Sequence, residues 1–91
     1  MRDAEMKQVA DYMKTFANPL RVNIIMTLNS DEKSVNQIVQ DTGAKQCYVS
    51  QQLGYLTKKG VLNRRPNQHN VYYSVKKSHV VNMLEMVRIG I

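Results

Sequence analysis

The stretch from Tyr48 to Val75, "YVSQQLGYLTKKGVLNRRPNQHNVYYSV", decides the fold because its apolar spacing changes from helical to strand-like. In its first part, apolar residues recur at the three- and four-residue intervals of one helical face, at Val49, Leu53 and Leu56. After Gly60, a usual helix stop, alternate residues of "VYYSV" share one strand face, and "VLNRR" pairs with them across a loop, "PNQHN". The pattern predicts a helix over about residues 45–59 and a two-stranded β-hairpin wing over about 61–75.

Start and stop signals place three further helices before this stretch. A first helix is predicted over about residues 3–16, and Asn18 caps a second helix whose first position is Pro19. Ser34 caps a short third helix, which ends where Gly43 allows a positive φ. The third and fourth helices, about 34–59, form a helix-turn-helix unit, and a last helix is expected over about 77–89. The predicted fold is therefore mainly α, a winged helix-turn-helix of about five helices in one domain spanning residues 1–91.

The net charge of +6 is unevenly divided along the chain. Residues 1–41 carry five basic and six acidic side chains, whereas residues 42–91 carry eight basic side chains and one acidic. The C-terminal half therefore suits a polyanionic partner, either nucleic acid or an anionic membrane surface. The competing interpretation of the charge alone is an ordinary solvated basic face.

Cysteine usage and hydropathy indicate the compartment. Cys47 is the only cysteine, which excludes an intramolecular disulfide and fits a reducing cytoplasm. No apolar run approaches the roughly 18 residues that cross a bilayer, and the N-terminus is too charged for a signal peptide. We expect a cytoplasmic protein with no membrane partner. Because a chain of 91 residues buries a small fraction of its surface, we also expect a homodimer.

Between its inward-facing apolar residues, the fourth helix carries amides and hydroxyls. Gln can pair with adenine through two hydrogen bonds, Ser can donate or accept, and Tyr can contact a thymine methyl or a phosphate, all within the major groove. The wing would place Arg64 and Arg65 at the neighbouring DNA backbone or minor groove, where neutralising phosphates supplies attraction without reading sequence. The predicted partner is double-stranded DNA. The predicted DNA-binding residues are Lys45, Gln46, Cys47, Tyr48, Ser50, Gln51, Arg64, Arg65, Asn67, Gln68 and His69.

Two segments carry a family resemblance that covers about residues 16–75. "FANPLRVNIIMTL" and "SVNQIVQDTGAKQCYVSQQLGYL" resemble the corresponding segments of the ArsR/SmtB winged-helix repressors, and Tyr72-Tyr73 match the second wing strand of that family. The resemblance implies a homodimeric repressor whose first and last helices form the dimer interface, with an inducer that the sequence does not identify. The interface residues expected on this basis are Met6, Val9, Met13, Val80, Leu84 and Val87. Arg21, at the family's arginine position, is expected to hold the second helix to neighbouring backbone.

Departures from the family pattern concern metal and thiol chemistry. The family's cysteine pair is missing from the third helix, "SVNQIVQ", and only His79 and Glu85 remain near its second site, so we expect no metal and no cofactor. Cys47 lies where the family usually has serine. One interpretation is a reactive, redox-sensitive thiol activated by the helix N-terminus and Lys45, and the other is a small residue contacting phosphate.

Two other classes of function compete with a DNA-binding regulator. An enzyme is disfavoured because two histidines, one cysteine and scattered carboxylates form no recognisable catalytic constellation. A winged-helix module for protein interaction or assembly is the stronger rival, since fold does not fix function. The exposed amides of the fourth helix argue against it. We therefore expect a sequence-specific transcriptional regulator, a repressor that binds an inverted-repeat operator.

Overall fold

A computed structural model describes all residues, 1–91, and contains five helices and a three-stranded antiparallel sheet. The elements in chain order are α1 Asp3–Lys14, α2 Pro19–Leu28, β1 Lys33–Ser34, α3 Val35–Thr42, α4 Gln46–Lys58, β2 Leu62–Asn67, β3 Asn70–Val75 and α5 Ser78–Gly90. This order confirms the winged helix-turn-helix predicted from the sequence.

The helix boundaries follow local capping chemistry. The Asn18 side chain accepts hydrogen bonds from the backbone N–H groups of Leu20 and Arg21 at 2.9 and 3.2 Å, and Pro19 opens α2. At α3, the Gln37 N–H donates to the Ser34 hydroxyl, while the Ser34 N–H donates to the Gln37 side chain at 2.8 Å. Gly43 then ends α3 with a φ of 71°, in the left-handed region that glycine favours. These predicted starts and stops are confirmed.

The sheet is larger than the predicted two-stranded hairpin. Its strand order is β1-β3-β2, because Lys33 and Ser34 pair with Tyr73 and Tyr72 along the free edge of β3. A strand of two residues is too short to show the alternation by which strands are recognised in a sequence. Strand β1 joins the start of α3 to the wing through its pairing with β3, so the helix-turn-helix unit and the wing are held together.

The wing loop is shorter than the predicted "PNQHN" segment. Pro66 and Asn67 belong to β2, Asn70 belongs to β3, and the turn consists of Gln68 and His69 alone. Pro66 is tolerated because β2 is an edge strand, where a missing N–H group costs no hydrogen bond of the ladder. The hairpin therefore remains paired nearly to its tip, and Gln68 turns the chain with a φ of 52°.

The core joins α2, α3, α4, the base of the wing and the inner face of α5. The residues that are fully buried in it include Ile24, Ile25, Leu28, Ile38, Val49, Leu53, Leu56 and Val80. Val80 was expected at the dimer interface, and that prediction is wrong: its side chain is 1% exposed within a single chain, so it has no surface to offer a partner.

Helix α1 contributes no buried residue to this core. The predicted helix end at residue 16 is also too late, since α1 ends at Lys14 and Thr15 caps it. Phe16 follows the helix into the core, and the ring of Tyr12 packs edge-on against it at a centroid distance of 5.2 Å. The last residues of α1 are thus held through Phe16, while every residue of the helix itself is exposed.

Candidate nucleic-acid interface

Helix α4 has one buried face and one free polar face. Val49, Leu53 and Leu56 are completely buried beneath it. The predicted base-reading residues of this helix are all exposed, and they are Gln46, Cys47, Tyr48, Ser50 and Gln51. Because the apolar face fixes the helix in the core, the polar residues are presented on a rigid support. Lys45 occupies the N-cap position of α4, and its side chain makes no capping hydrogen bond, which leaves the first backbone N–H groups available to an anion.

The adjacent glutamines Gln51 and Gln52 have different environments. Gln52 is half-buried, and its side-chain oxygen accepts a hydrogen bond from Nε of Arg21 at 2.7 Å. The Arg21 guanidinium also lies 3.7 Å from the centroid of the Tyr55 ring. Arg21 therefore joins α2 to α4 through side chains, and the expected anchoring to neighbouring backbone is not observed. Gln51 is exposed and keeps its amide free.

The two wing arginines point to opposite faces of β2, as successive residues of a strand must. Arg64 lies opposite Tyr73, is exposed, and forms no ion pair. Arg65 lies opposite Tyr72, and its guanidinium carbon is 5.0 Å from the Tyr72 ring centroid. The two arginines are therefore not equivalent, although the sequence suggested a single basic pair.

Arg65 is already engaged by a carboxylate. Its Nε and Nη2 atoms donate to the two oxygens of Glu32 at 2.9 and 2.7 Å. These hydrogen bonds lower the pKa of Glu32 below its ordinary value and raise that of Arg65. The sequence predicted that Arg65 contacts phosphate, but in this structure its charge is paired with that of Glu32. Sequence reasoning missed Glu32, because the two residues lie 33 positions apart and no local pattern connects them.

The wing tip lies beside the start of α3. Asn67, Gln68 and His69 are exposed at the turn. A groove of about 260 Å³ separates the tip from α3, and it is lined by Val35, Asn36, His69, Asn70 and Val71. The predicted wing residues are therefore available to a ligand that lies across both the wing and the helix-turn-helix unit.

The remaining candidates for metal and thiol chemistry are spread apart. No three histidine, cysteine, aspartate or glutamate side chains lie close enough together to hold a metal ion. Glu85, one of the two residues left near the family's second metal site, binds the guanidinium of Arg88. Cys47 is a free, exposed thiol. None of the helices is both long and apolar enough to cross a membrane.

A second exposed surface is apolar and lies on α1 and α5. Four of the predicted interface residues are exposed on it, namely Met6, Val9, Met13 and Val87, while Leu84 packs partly against the core. Between the end of α1 and α5 lies a groove of about 400 Å³ lined almost entirely by apolar side chains, including Met13, Phe16, Val22, Leu84, Val87 and Ile91. Apolar surface gathered in this way marks an interaction site.

A polar recognition helix on a buried apolar base, beside a paired wing, defines a winged helix-turn-helix protein. The family model described as "Bacterial regulatory protein, arsR family" matches residues 18–64, more than half of the chain. The chain belongs to the ArsR family of bacterial regulatory proteins.

Similar proteins agree with this assignment. The biofilm growth-associated repressor of Xylella fastidiosa is 35% identical over 80 residues, which cover 85% of this chain and 70% of that protein. The solved structure of the transcriptional repressor BigR from Xylella fastidiosa is 31% identical, with a TM-score of 0.84 over 93% of this chain and 87% of that one. A homodimeric winged helix-turn-helix DNA-binding domain from Mycobacterium bovis is 27% identical, with a TM-score of 0.79 over 98% and 85% of the two chains.

These likenesses decide between the functions left open by the sequence. The chain is a DNA-binding transcriptional regulator, as the recognition helix predicted, and its family consists of regulatory proteins. No observation favours the rival interpretation as a protein-interaction module.

Proposed function

We propose that this regulator is a repressor, and that two copies bind an inverted-repeat operator with their α4 helices in successive major grooves of double-stranded DNA. The observation that carries the proposal is the free polar face of α4, fixed in place by Val49, Leu53 and Leu56. An α-helix fits the major groove, where every base pair presents a distinct pattern of donors and acceptors. The relative from Xylella fastidiosa, which is named a repressor, supports this direction of regulation.

The homodimer is supported by the apolar surface on α1 and α5. Met6, Val9 and Met13 recur along one face of α1, and they are 47%, 47% and 42% exposed in the single chain. A second copy would bury this face against its own α1 and α5. The similar domain from Mycobacterium bovis, which is described as homodimeric, supports self-association. Of the interface residues expected from the sequence, we retain all except Val80.

The residues have distinct roles in the proposed complex. Gln51 and Ser50 contact base edges, with Gln46 and Tyr48 beside them, because these side chains are exposed on the middle and first turn of α4. Lys45 and Arg64 neutralise phosphates. The wing-tip residues Asn67, Gln68 and His69 contact the adjacent sugar-phosphate backbone of the DNA. Cys47 lies among these contacts, either as a small phosphate neighbour or as a reactive thiol.

The test begins with selection of bound fragments from random DNA, followed by titration of the selected duplex and of a scrambled duplex. A dimeric repressor should prefer an inverted repeat, with half-sites about one helical turn apart, over scrambled DNA by at least roughly a thousandfold. A protein that treats all duplexes alike would support the interaction-module alternative instead.

Two substitutions separate base reading from phosphate binding. We expect Gln51→Ala to weaken operator binding by about 1–3 kcal/mol and to leave scrambled duplex nearly unaffected. We expect Arg64→Ala to weaken both duplexes to the same extent and to flatten the dependence of log affinity on log salt by about one unit per subunit. If both variants lost only nonspecific affinity, the assignment of Gln51 to base reading would be wrong.

Peroxide treatment, with alkylation as the comparison, distinguishes the two interpretations of Cys47. Modification should weaken DNA binding in both, because a bulky adduct at this position would collide with the groove. Peroxide, which adds little bulk, should weaken binding only if the thiol is reactive at neutral pH. Cys47→Ser should retain operator affinity under either interpretation and should be insensitive to both reagents.

A further inference from the structure

The Glu32–Arg65 ion pair crosses the sheet from one edge to the other. Arg65 is on β2, Tyr72 lies opposite it on the central strand, and Glu32 immediately precedes β1 on the far side. The guanidinium therefore lies over the Tyr72 ring and reaches the carboxylate beyond it. The link connects the wing to the segment between α2 and β1.

The contact uses the same donors that would hold a phosphate. A guanidinium binds carboxylate and phosphate alike through a pair of parallel hydrogen bonds. Both oxygens of Glu32 are hydrogen-bonded to Arg65, so this fork is occupied while the pair is formed. The side chains are 53% and 39% exposed, so solvent and an incoming polyanion can reach the pair.

We propose that Glu32 acts as an internal competitor of DNA phosphate, keeping the charged guanidinium of Arg65 paired on the wing and so limiting the affinity of the regulator for any duplex. The inference rests on the proposed function, since it requires DNA to approach the wing. Glu32 is a positioning residue here: it acts through Arg65 and reads no base. In its absence, Arg65 gives each subunit one additional phosphate contact.

The neighbouring acidic residue Asp31 provides a matched control. Asp31 lies directly before Glu32, is exposed, and forms no ion pair. Asp31→Asn removes the same charge one residue away and leaves Arg65 paired. Any effect of Glu32→Gln beyond that of Asp31→Asn therefore belongs to the release of Arg65 rather than to net charge.

The experiment measures operator and scrambled-duplex affinity over a series of salt concentrations for the full chain. We expect Glu32→Gln to tighten binding to both duplexes by roughly tenfold at low salt and to steepen the salt dependence by about one unit per subunit. Asp31→Asn should change affinity by about twofold, without steepening the salt dependence. In a background carrying Arg65→Ala, the two substitutions should have equal effects, because the arginine that Glu32 restrains is gone.

The outcomes separate this inference from the proposed function. If the unmodified protein discriminates operator from scrambled DNA but Glu32→Gln binds no tighter than Asp31→Asn, the inference fails and the proposed function stands. The inference also fails if, in the Arg65→Ala background, Glu32→Gln still tightens DNA binding more than Asp31→Asn does. If the unmodified protein binds no duplex, both fail together. Circular dichroism of each variant checks that the wing substitutions leave the fold unchanged.

Discussion

Two regions of this small protein are stabilised in different ways. The central body, from α2 through β3 together with the inner face of α5, encloses a single cluster of buried apolar residues. Helix α1 and the outer face of α5 carry apolar side chains of similar size, such as Met13 and Val87, but these remain exposed. The body therefore folds around contacts within one chain, whereas the apolar surface on α1 and α5 requires a second molecule to be covered.

The two regions have different roles in the proposed function. The body holds α4 and the wing, so the geometry that would read one half-site in the proposed complex is fixed within each subunit. The α1 and α5 surface would fix the distance between two such helices, which determines whether both half-sites can be occupied together. The contacts of the body are made within one chain, whereas binding to a complete operator requires the dimer and so depends on protein concentration.

The largest expected effect comes from the body. Leu53 is fully buried beneath α4, and Leu53→Ala should reduce the free energy of unfolding by about 2–5 kcal/mol, because it removes buried methyl groups and leaves a cavity. Urea denaturation at two protein concentrations would measure this. A loss below about 1 kcal/mol would show that α4 is held by something other than its apolar face.

A negative charge on the apolar face of α1 should disrupt the dimer and leave the body folded. Val9 is 47% exposed in the single chain, so Val9→Asp should leave the helical content intact while dissociating the dimer. Operator affinity should fall by roughly a hundredfold, since the two half-sites would then be bound independently. Sedimentation and operator titration measure the two effects.

The control for this prediction is Gln8→Asp, which adds the same charge to the polar side of α1. It should leave both the dimer and operator binding nearly unchanged. A monomeric Val9→Asp variant that bound the operator as tightly as the unmodified protein would remove the dimer from the mechanism.

The same division explains how much could be predicted from the sequence. The helix starts at Asn18 and Ser34 and the stop at Gly43 were predicted correctly, because capping depends on residues within a few positions of each other. The burial of Val80 was not predicted. Apolar residues on α5 face either the core or a partner, and the sequence alone does not show which, because that depends on how the helix packs against the rest of the chain.

The site shows the same limit. The exposed amides of α4 followed from helical periodicity, but the pairing of Arg21 with Gln52 and of Arg65 with Glu32 depends on tertiary contacts across 31 and 33 residues. Each of these contacts engages one of two adjacent residues of the same type and leaves the other free. Gln51 and Arg64 remain available, whereas their neighbours Gln52 and Arg65 are engaged within the chain.

Two glycines sharpen the comparison within the body. Gly43 has a φ of 71°, so Gly43→Ala should destabilise by about 1 kcal/mol through backbone strain. Gly54 lies inside α4 without that constraint, and Gly54→Ala should stabilise by about 1 kcal/mol through helix propensity. In both cases the added Cβ atom meets nothing within 4 Å, so packing contributes little. Urea midpoints should move in opposite directions and by amounts independent of protein concentration, unlike the effect of Val9→Asp.

The smallest expected effect is a change of stability in acid, because each region carries one glutamate that is hydrogen-bonded to arginine. These bonds hold the pKa of Glu32, in the body, and of Glu85, on α5, below the ordinary value of 4.5. A carboxyl whose pKa is lowered by folding stabilises the protein above its unfolded pKa, and this contribution is lost as the pH falls through the lowered value. Unfolding midpoints measured from pH 7 to pH 3 should therefore show a small deficit for Glu32→Gln and Glu85→Gln near pH 7 that disappears in acid.

The dependence on protein concentration distinguishes these two glutamates. Arg88, the partner of Glu85, lines the apolar groove between α1 and α5, so a second subunit that covers the groove would also shield this pair from solvent. The deficit for Glu85→Gln should then vary with protein concentration, whereas that for Glu32→Gln should not. Equal behaviour of the two variants would place the dimer contact away from Arg88, and the interface would have to be sought nearer the N-terminal part of α1.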